Sequence, residues 1–193
     1  MYLPFIIAAI VIIIYVISIY NDLQKLKTQI VASIQEIGNQ LKRQASLIPN
    51  LQETVKGYLK HEKSIFKMLT DARKAAEKAE KSGSSKDIND AINKIQQANP
   101  KLNVVVEDNP EMKADQTVSK FMNELTDTAD KLMYARRSII DLSQTYNQKL
   151  VVFPSNMIAN MFGFKPEKGL ATALTGSHIE VSADETKDVK VEF

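Results

Sequence analysis

The side chains that could do chemistry are few in this 193-residue chain. His61 and His178 are the only histidines, and the chain has no cysteine. A helical bundle can hold two metal ions on inward-facing Glu-x-x-His pairs, but neither histidine has a glutamate three residues before it. The pair His61-Glu62 also lacks the second histidine of a zinc-protease helix. With no cysteine nucleophile, phosphate-binding glycine loop or nucleophile elbow either, we expect no enzymatic activity, catalytic residue, metal or cofactor.

The C-terminal end of the sequence has a pattern that could bind a protein. Its last residues alternate between apolar and polar, which places Val189, Val191 and Phe193 on one side. An extended terminus of this kind can add to a sheet edge while backbone N–H groups capture its carboxylate, as PDZ domains do. One hypothesis is therefore that these three residues bind a membrane-protein partner, such as a PDZ-containing protease, although the interpretation that we favour is a terminus without a binding role.

Two other stretches have the composition of a membrane-proximal surface. Lysines flank the serine-rich loop at 82–85, and exposed cations near an anionic leaflet each contribute about 1 kcal/mol to binding. The segment 153–164 is apolar enough to lie in a membrane interface. The alternatives are solvated lysines and a segment that folds back over the end of the body. The residues of this membrane-proximal prediction are Lys78, Lys81, Lys86, Met157, Ile158, Met161, Phe162 and Phe164.

The element that must carry these surfaces is the apolar run at residues 3–20. It contains no charged residue, and about 18 such residues are near the lower limit for one membrane-spanning helix. A cleaved signal peptide and a buried core helix are the alternatives. Lys25 and Lys27 follow the run, so the positive-inside rule predicts a cytoplasmic body and an N-terminus outside.

Apolar residues then recur at helical spacing in four stretches separated by short breaks. This pattern predicts an all-α chain with an up-and-down antiparallel four-helix bundle, and a long coiled-coil dimer is the alternative. Pro49 favours a turn at 47–50, with a kinked continuous helix as the lesser possibility. Pro100 predicts a kink or a restart within the third helix, and the fourth helix is expected over about 111–150.

These elements divide the chain into four predicted parts. They are an anchor at 1–20, a bundle at 21–152, an apolar segment at 153–165 and a flexible tail at 166–193, whose composition is small, polar and charged. The formal net charge of +2 gives no indication of nucleic-acid binding.

Several motifs along the chain are similar to those of a known family. They are Tyr20-Asn21, LIPNL at 47–51, TVKGY at 54–58, His61-Glu62, YARR at 134–137, Tyr146-Asn147, FPSN at 153–156 and MFGF at 161–164. Together they cover nearly the whole chain, which resembles the LemA family of bacterial membrane proteins. The resemblance implies a four-helix bundle behind one N-terminal membrane helix, with no settled biochemical activity. The expected location is then the bacterial cytoplasmic (inner) membrane. Pro100 departs from the family, in which the third helix is usually uninterrupted.

The polar residues of these motifs have two interpretations. A partner-binding surface is one, and structural roles are the one we favour. In the structural interpretation Asn50 satisfies backbone groups at a turn, while Arg136 or Arg137 pairs with a carboxylate such as Glu53 or Glu62. The residues concerned are Asn50, Glu53, Tyr58, His61, Arg136, Arg137 and Asn147.

The sequence thus leads to two functional hypotheses. The first is a membrane-tethered scaffold or adaptor, open to homo-oligomerisation, that engages membrane proteins through its bundle surface or its tail. The second is a membrane-organising protein that binds anionic lipid through the basic loop and the 153–164 segment.

Overall fold

The computed structural model describes residues 2–58 and 62–170 of the chain. These residues form helices and no strands, so the all-α prediction is correct for this part of the chain. The helices are α1 (Leu3–Val55), α2 (Lys63–Ser82), α3 (Ser85–Asp108), α4 (Pro110–Ala114), α5 (Gln116–Val151) and α6 (Ser155–Met161).

The first helix continues from the apolar run into the body without a break. It is 53 residues long and contains Pro49 in its interior, so the expected turn at 47–50 is wrong. An interior proline costs a helix about 3 kcal/mol because it removes a backbone hydrogen bond and crowds the preceding turn. Leu47, Ile48 and Leu51 are buried around it, and each buried side chain of this type stabilises the fold by about 1.5–3 kcal/mol. Their burial therefore offsets the cost of the proline.

The remaining helix boundaries follow from capping residues. Gly83 takes a left-handed conformation after α2, and the Ser84 hydroxyl caps α3 by accepting from the backbone N–H of Asp87. The third helix then runs through Pro100 without restarting. Asn109 caps α4, and the Asp115 carboxylate caps α5 at the backbone N–H of Thr117 and Val118. The single fourth helix expected over 111–150 is therefore two helices.

The two longest helices pack side by side in opposite directions. Asp22 contacts Lys149 near one end of the pair, Arg43 contacts Glu124 in the middle, and Tyr58 contacts Asp115 at the other end. The helix α1 also contacts α2 and α6, and α3 contacts both α2 and α5. Most buried apolar residues form one cluster among these helices. A second, smaller cluster joins the start of the body in α1 to the end of α5, around Leu23, Ile30, Tyr146 and Leu150.

One helix of the described chain is long and apolar enough to cross a membrane by length and composition. It is α1, and the apolar window near its N-terminus has none of its residues buried in the structure. Large side chains such as Phe5, Ile10 and Ile14 are exposed along it. Exposed apolar area of this kind is unfavourable in water, so this part of α1 fits association with a membrane.

A candidate membrane-proximal interface

The inner end of the apolar helix is packed against the chain segment that follows α5. The ring centroid of Tyr20 lies 4.9 Å from that of Phe162 and 5.7 Å from that of Phe164, both in tilted arrangements. Aromatic pairs at these separations attract through their edges and faces. The segment predicted to be membrane-proximal is therefore held beside the last turn of the apolar run.

The predicted apolar residues of this segment divide between the two sides of α6. Ile158 and Ala159 are buried against the body, and Phe164 packs against the smaller apolar cluster. Met157 and Met161, one helical turn apart, are exposed to 63% and 66%. Part of the segment thus folds back over the end of the body, while the position of the exposed side chains in a membrane interface stays a prediction. We call its exposed apolar side the α6 surface, which comprises Val151, Val152, Phe153, Met157, Met161 and Phe162.

An ion pair joins the charged residues of α1 and α5 that lie nearest the apolar run. Asp22 is the first charged residue of α1, and Lys149 is the last charged residue of α5. The Lys149 ammonium donates to the Asp22 carboxylate at 2.5 Å. This hydrogen bond, followed by the charge of Lys149, lowers the pKa of the Asp22 carboxyl below its ordinary value. Residues 3–21 and 150–164 contain no charged side chain. The α6 surface thus belongs to an uncharged stretch that directly follows Lys149 in the sequence.

Residues 163–170 return along α5 and cover the end of the body, and we call them the closing segment. The buried Tyr146 hydroxyl donates to the Lys165 carbonyl at 3.0 Å. The Asn147 side chain makes two hydrogen bonds to the backbone of Glu167, at 2.7 and 2.9 Å. Leu170 is buried in the main core. Packing therefore extends past residue 166, where we expected the flexible tail to begin, and Asn147 has a structural role.

The closing segment requires a glycine near its end. Gly169 has a φ of +57°, and a Cβ at this position would lie 2.9 Å from the Ser143 Oγ. Ser85 donates to the Gly169 carbonyl at 3.3 Å, so the loop between α2 and α3 lies beside Ser143. Eight residues of α5 separate Ser143 from Val151, which corresponds to about 12 Å along the helix.

The three lysines of the basic loop are exposed but not equivalent. Lys78 donates to Asp87 at 2.7 Å, and this bond raises the pKa of Lys78. The hydrogen bonds of Asp87 with Lys78, then with Ser82 and Ser84, lower the pKa of its carboxyl to about 2. Lys81 and Lys86 are exposed. Lys78 is already paired with Asp87, and the loop lies about 12 Å from the end of α5. Since salt screens charges over about this distance, we expect the loop to contribute less to the binding of anionic lipid at that end of the body.

At the opposite end of the body, Tyr58 contacts the cap of α5. Its half-buried hydroxyl donates to the Asp115 carboxylate at 3.1 Å, which raises the pKa of the phenol. The pKa of Asp115 is lowered, chiefly by the backbone N–H groups of Thr117 and Val118. Tyr58 thus connects the end of α1 to the start of α5, which is a structural role.

The other polar motif residues differ from their predicted contacts. Asn50 lies exposed within α1 rather than at a turn, and Glu53 pairs with Lys56 at 3.6 Å. Arg137 lies 3.8 Å from Asp141 on its own helix. The predicted pairing of Arg136 or Arg137 with Glu53 is wrong because the antiparallel arrangement places Glu53 near the start of α5, about 19 residues or 28 Å from these arginines. The half-buried Arg136 has a buried Nε without a hydrogen bond.

Four predicted site residues lie outside the described residues, namely His61, Val189, Val191 and Phe193. Within residues 2–58 and 62–170, no group of three or more histidine, aspartate or glutamate side chains is arranged to hold a metal ion.

Two structural contacts were not predicted from the sequence. Asp115 could have been identified as a helix cap, because it lies three residues before Val118, where the apolar stripe begins. The Asn147–Glu167 hydrogen bonds join residues 20 positions apart across an irregular segment, and such a contact has no local sequence signal.

Comparison with known proteins supports the similarity suggested by the motifs. The model of the LemA family matches residues 33–193, whereas the comparison with curated proteins gave no match. The family match begins after the apolar run, so the evidence for a membrane helix comes from the chain's own residues. Family membership and the N-terminal apolar helix together fit a membrane-associated protein. Because the match covers most of its length, the chain belongs to the LemA family.

Proposed function

We propose that this protein is a membrane-tethered helical scaffold that engages other membrane or membrane-associated proteins. The observation that carries the proposal is the continuity of α1 from the apolar run at 3–20 to Val55. Because the same helix contacts α2, α5 and α6, the body is a direct extension of the anchor rather than a domain on a flexible linker. Such an arrangement presents a fixed surface to neighbouring proteins.

The body in this proposal is a four-helix bundle of α1, α2, α3 and α5. It is supported by the packing of α1 against α2 and α5, of α2 against α3 and of α3 against α5. We place the protein in the cytoplasmic membrane of a bacterium, with a single span and the body in the cytoplasm. Lys25 and Lys27, just after the apolar run, support this orientation.

Two regions are proposed to contact the partner protein. The body surface is the first, and the C-terminal residues Val189, Val191 and Phe193 are the second, through sheet addition to a PDZ-type domain. Catalysis is no part of the proposal.

The test is affinity purification of the full chain from detergent-solubilised membranes after cross-linking. A partner enriched with the full chain but lost from a variant that ends at Leu170 would assign binding to the tail. A partner kept by that variant would assign binding to the body. The matched control is residues 1–20 fused to an unrelated soluble domain, since it shares the membrane but not the body. If nothing is enriched over this control, the scaffold proposal is wrong.

A second candidate function is lipid organisation through the basic loop and the 153–164 segment. The exposure of Met157 and Met161 favours lipid binding by the 153–164 segment. The Lys78–Asp87 pair argues against strong lipid binding by the loop, because the charge of Lys78 is already paired. Flotation of residues 21–193 with neutral and with anionic vesicles separates the two contributions. Flotation only with anionic vesicles would assign binding to the lysines, and no flotation with either would remove this candidate.

A further inference from the structure

The α6 surface is fixed in position relative to the apolar helix. Phe162 belongs to this surface, and its ring packs directly on Tyr20 at the end of the apolar run. The helix α6 contacts both α1 and α5, and its buried residues Ile158 and Ala159 hold it against the body. The exposed side of α6 therefore cannot turn away from the anchor without losing this packing.

The distribution of charge indicates which environment this surface meets. The Asp22–Lys149 pair is the first charged level on both long helices. On one side of it, residues 3–21 and 150–164 are all uncharged, and Lys165 begins the charged sequence again. The anchor, the end of α5 and the whole of α6 are thus uncharged stretches, and the contact of Tyr20 with Phe162 brings them together.

Several exposed apolar side chains lie in the uncharged stretch that contains the end of α5 and α6. Val151, Phe153, Met157 and Met161 are each more than half exposed, and Phe162 is nearly so. Soluble surfaces rarely carry such groups without a binding role. Tyr20 has the amphipathic ring that is typical of the membrane–water boundary, so a side chain stacked on it lies at the same depth.

We propose that the α6 surface inserts into the interfacial layer of the bilayer and forms a second membrane contact beside the anchor. This inference rests on the membrane tether of the proposed function. The occupant is lipid rather than a second copy of the chain, because the surface is continuous with the exposed apolar helix through Tyr20 and carries no charge. For the same reason the contact does not depend on anionic lipid.

The test uses the absence of cysteine from the natural chain. Full-length Met157→Cys and Met161→Cys variants, each labelled with an environment-sensitive fluorophore, are reconstituted in phosphatidylcholine vesicles. Some of the lipids carry a nitroxide quencher on the acyl chain. We expect a blue-shifted emission and at least about a twofold loss of intensity at both positions, and no greater loss when anionic lipid is added.

Matched controls are labels at exposed apolar or aromatic residues elsewhere on the body. Val104 and Tyr134 are exposed to 55% and 76%, and Tyr134 lies 17 residues before Val151, which is about 25 Å along α5. Labels at these positions should not be quenched by lipid. Equal quenching at Met157, Met161 and Val104 would overturn the inference, as would shielding of the α6 labels from both the lipid quencher and aqueous iodide, which a second copy would produce.

A label in the anchor distinguishes this inference from the proposed function. Ile10 lies near the middle of the apolar run, so the lipid quencher should strongly reduce the emission of a label on the Ile10→Cys variant. Quenching at Ile10 without quenching at Met157 and Met161 would leave the tether in place and overturn the second contact. An unquenched Ile10 would overturn the tether, and the second contact with it.

Discussion

Asp22 of α1 and Lys149 of α5 form an ion pair of 2.5 Å between residues that are 127 positions apart in the chain. Both side chains are partly exposed, and the pair closes the end of the antiparallel α1–α5 packing next to the apolar run. It therefore connects the helix that carries the anchor to the helix that carries the α6 surface.

The variant Asp22→Asn should destabilise the body slightly at neutral pH. Partly exposed pairs contribute about 0.2–1 kcal/mol, so we expect a loss of that order in the free energy of unfolding. Lys149 lowers the pKa of Asp22 below 3.8, so the stabilisation is full above this value and is lost as the pH falls through the folded-state pKa. Chemical unfolding of wild type and variant at neutral and acidic pH measures this. A difference that does not shrink in acid would contradict the ion-pair explanation.

The variant Pro49→Ala should stabilise the protein. Pro49 lies in the interior of α1, and alanine would restore the backbone hydrogen bond to the preceding turn. We expect a gain of about 1–3 kcal/mol in the free energy of unfolding, from the cost of an interior proline. Pro100→Ala in α3 is the matched control and should act in the same direction. A loss of stability in Pro49→Ala alone would indicate that residues 47–50 form a turn after all.

The variant Gly169→Ala should detach the closing segment. Its backbone is left-handed, which costs a residue with a Cβ about 1–2 kcal/mol, and the new Cβ would also meet Ser143 at 2.9 Å. Gly83→Ala is the matched control, because Gly83 has a similar φ of +58° with open space around it. Hydrogen exchange of residues 163–170 should accelerate in Gly169→Ala and stay unchanged in Gly83→Ala. Equal behaviour in both variants would assign the effect to backbone strain alone.

The variant Tyr146→Phe should lower stability but reduce its loss in alkali. The Tyr146 hydroxyl donates to the Lys165 carbonyl, and a hydrogen bond of this type contributes about 0.5–1.5 kcal/mol. Burial, and then the charge of Glu167, raise the pKa of Tyr146 above 10.0. The stability that this tyrosine contributes is therefore present below pH 10.0 and is lost as the pH rises through the raised value. Unfolding measured across alkaline pH should show a steeper decline in wild type than in Tyr146→Phe, and parallel declines would contradict this.

The helical class could be predicted because apolar residues recur at helical spacing over most of the body. The continuity of α1 through Pro49 could not be predicted. The local preference of proline takes no account of the burial of Leu47, Ile48 and Leu51, which stabilises the continuous helix. For a related reason, it could not be predicted that Arg137 lies beside Asp141 of its own helix rather than beside Glu53, since a motif gives the residue type but not its level along a helix.

The closing segment was the least predictable part of the candidate site. Its composition from Lys165 onward is that of a solvated linker, yet two residues of α5, Tyr146 and Asn147, bind its backbone. Only the folded arrangement of α5 and α6 brings these groups together. The apolar character of 153–164, in contrast, was visible in the sequence, and the structure added which side chains face outward.

The unbroken course of α1 has a mechanical consequence. The 35 residues from Asn21 to Val55 extend about 50 Å beyond the apolar run, and α5 braces them along most of that length. A tilt of the membrane segment by about 10° would move the far end, where Tyr58 meets Asp115, by about 9 Å. With the apolar run in a bilayer, as proposed, the body would act as a rigid lever, so a change in bilayer thickness or curvature that tilts the run would displace its far end.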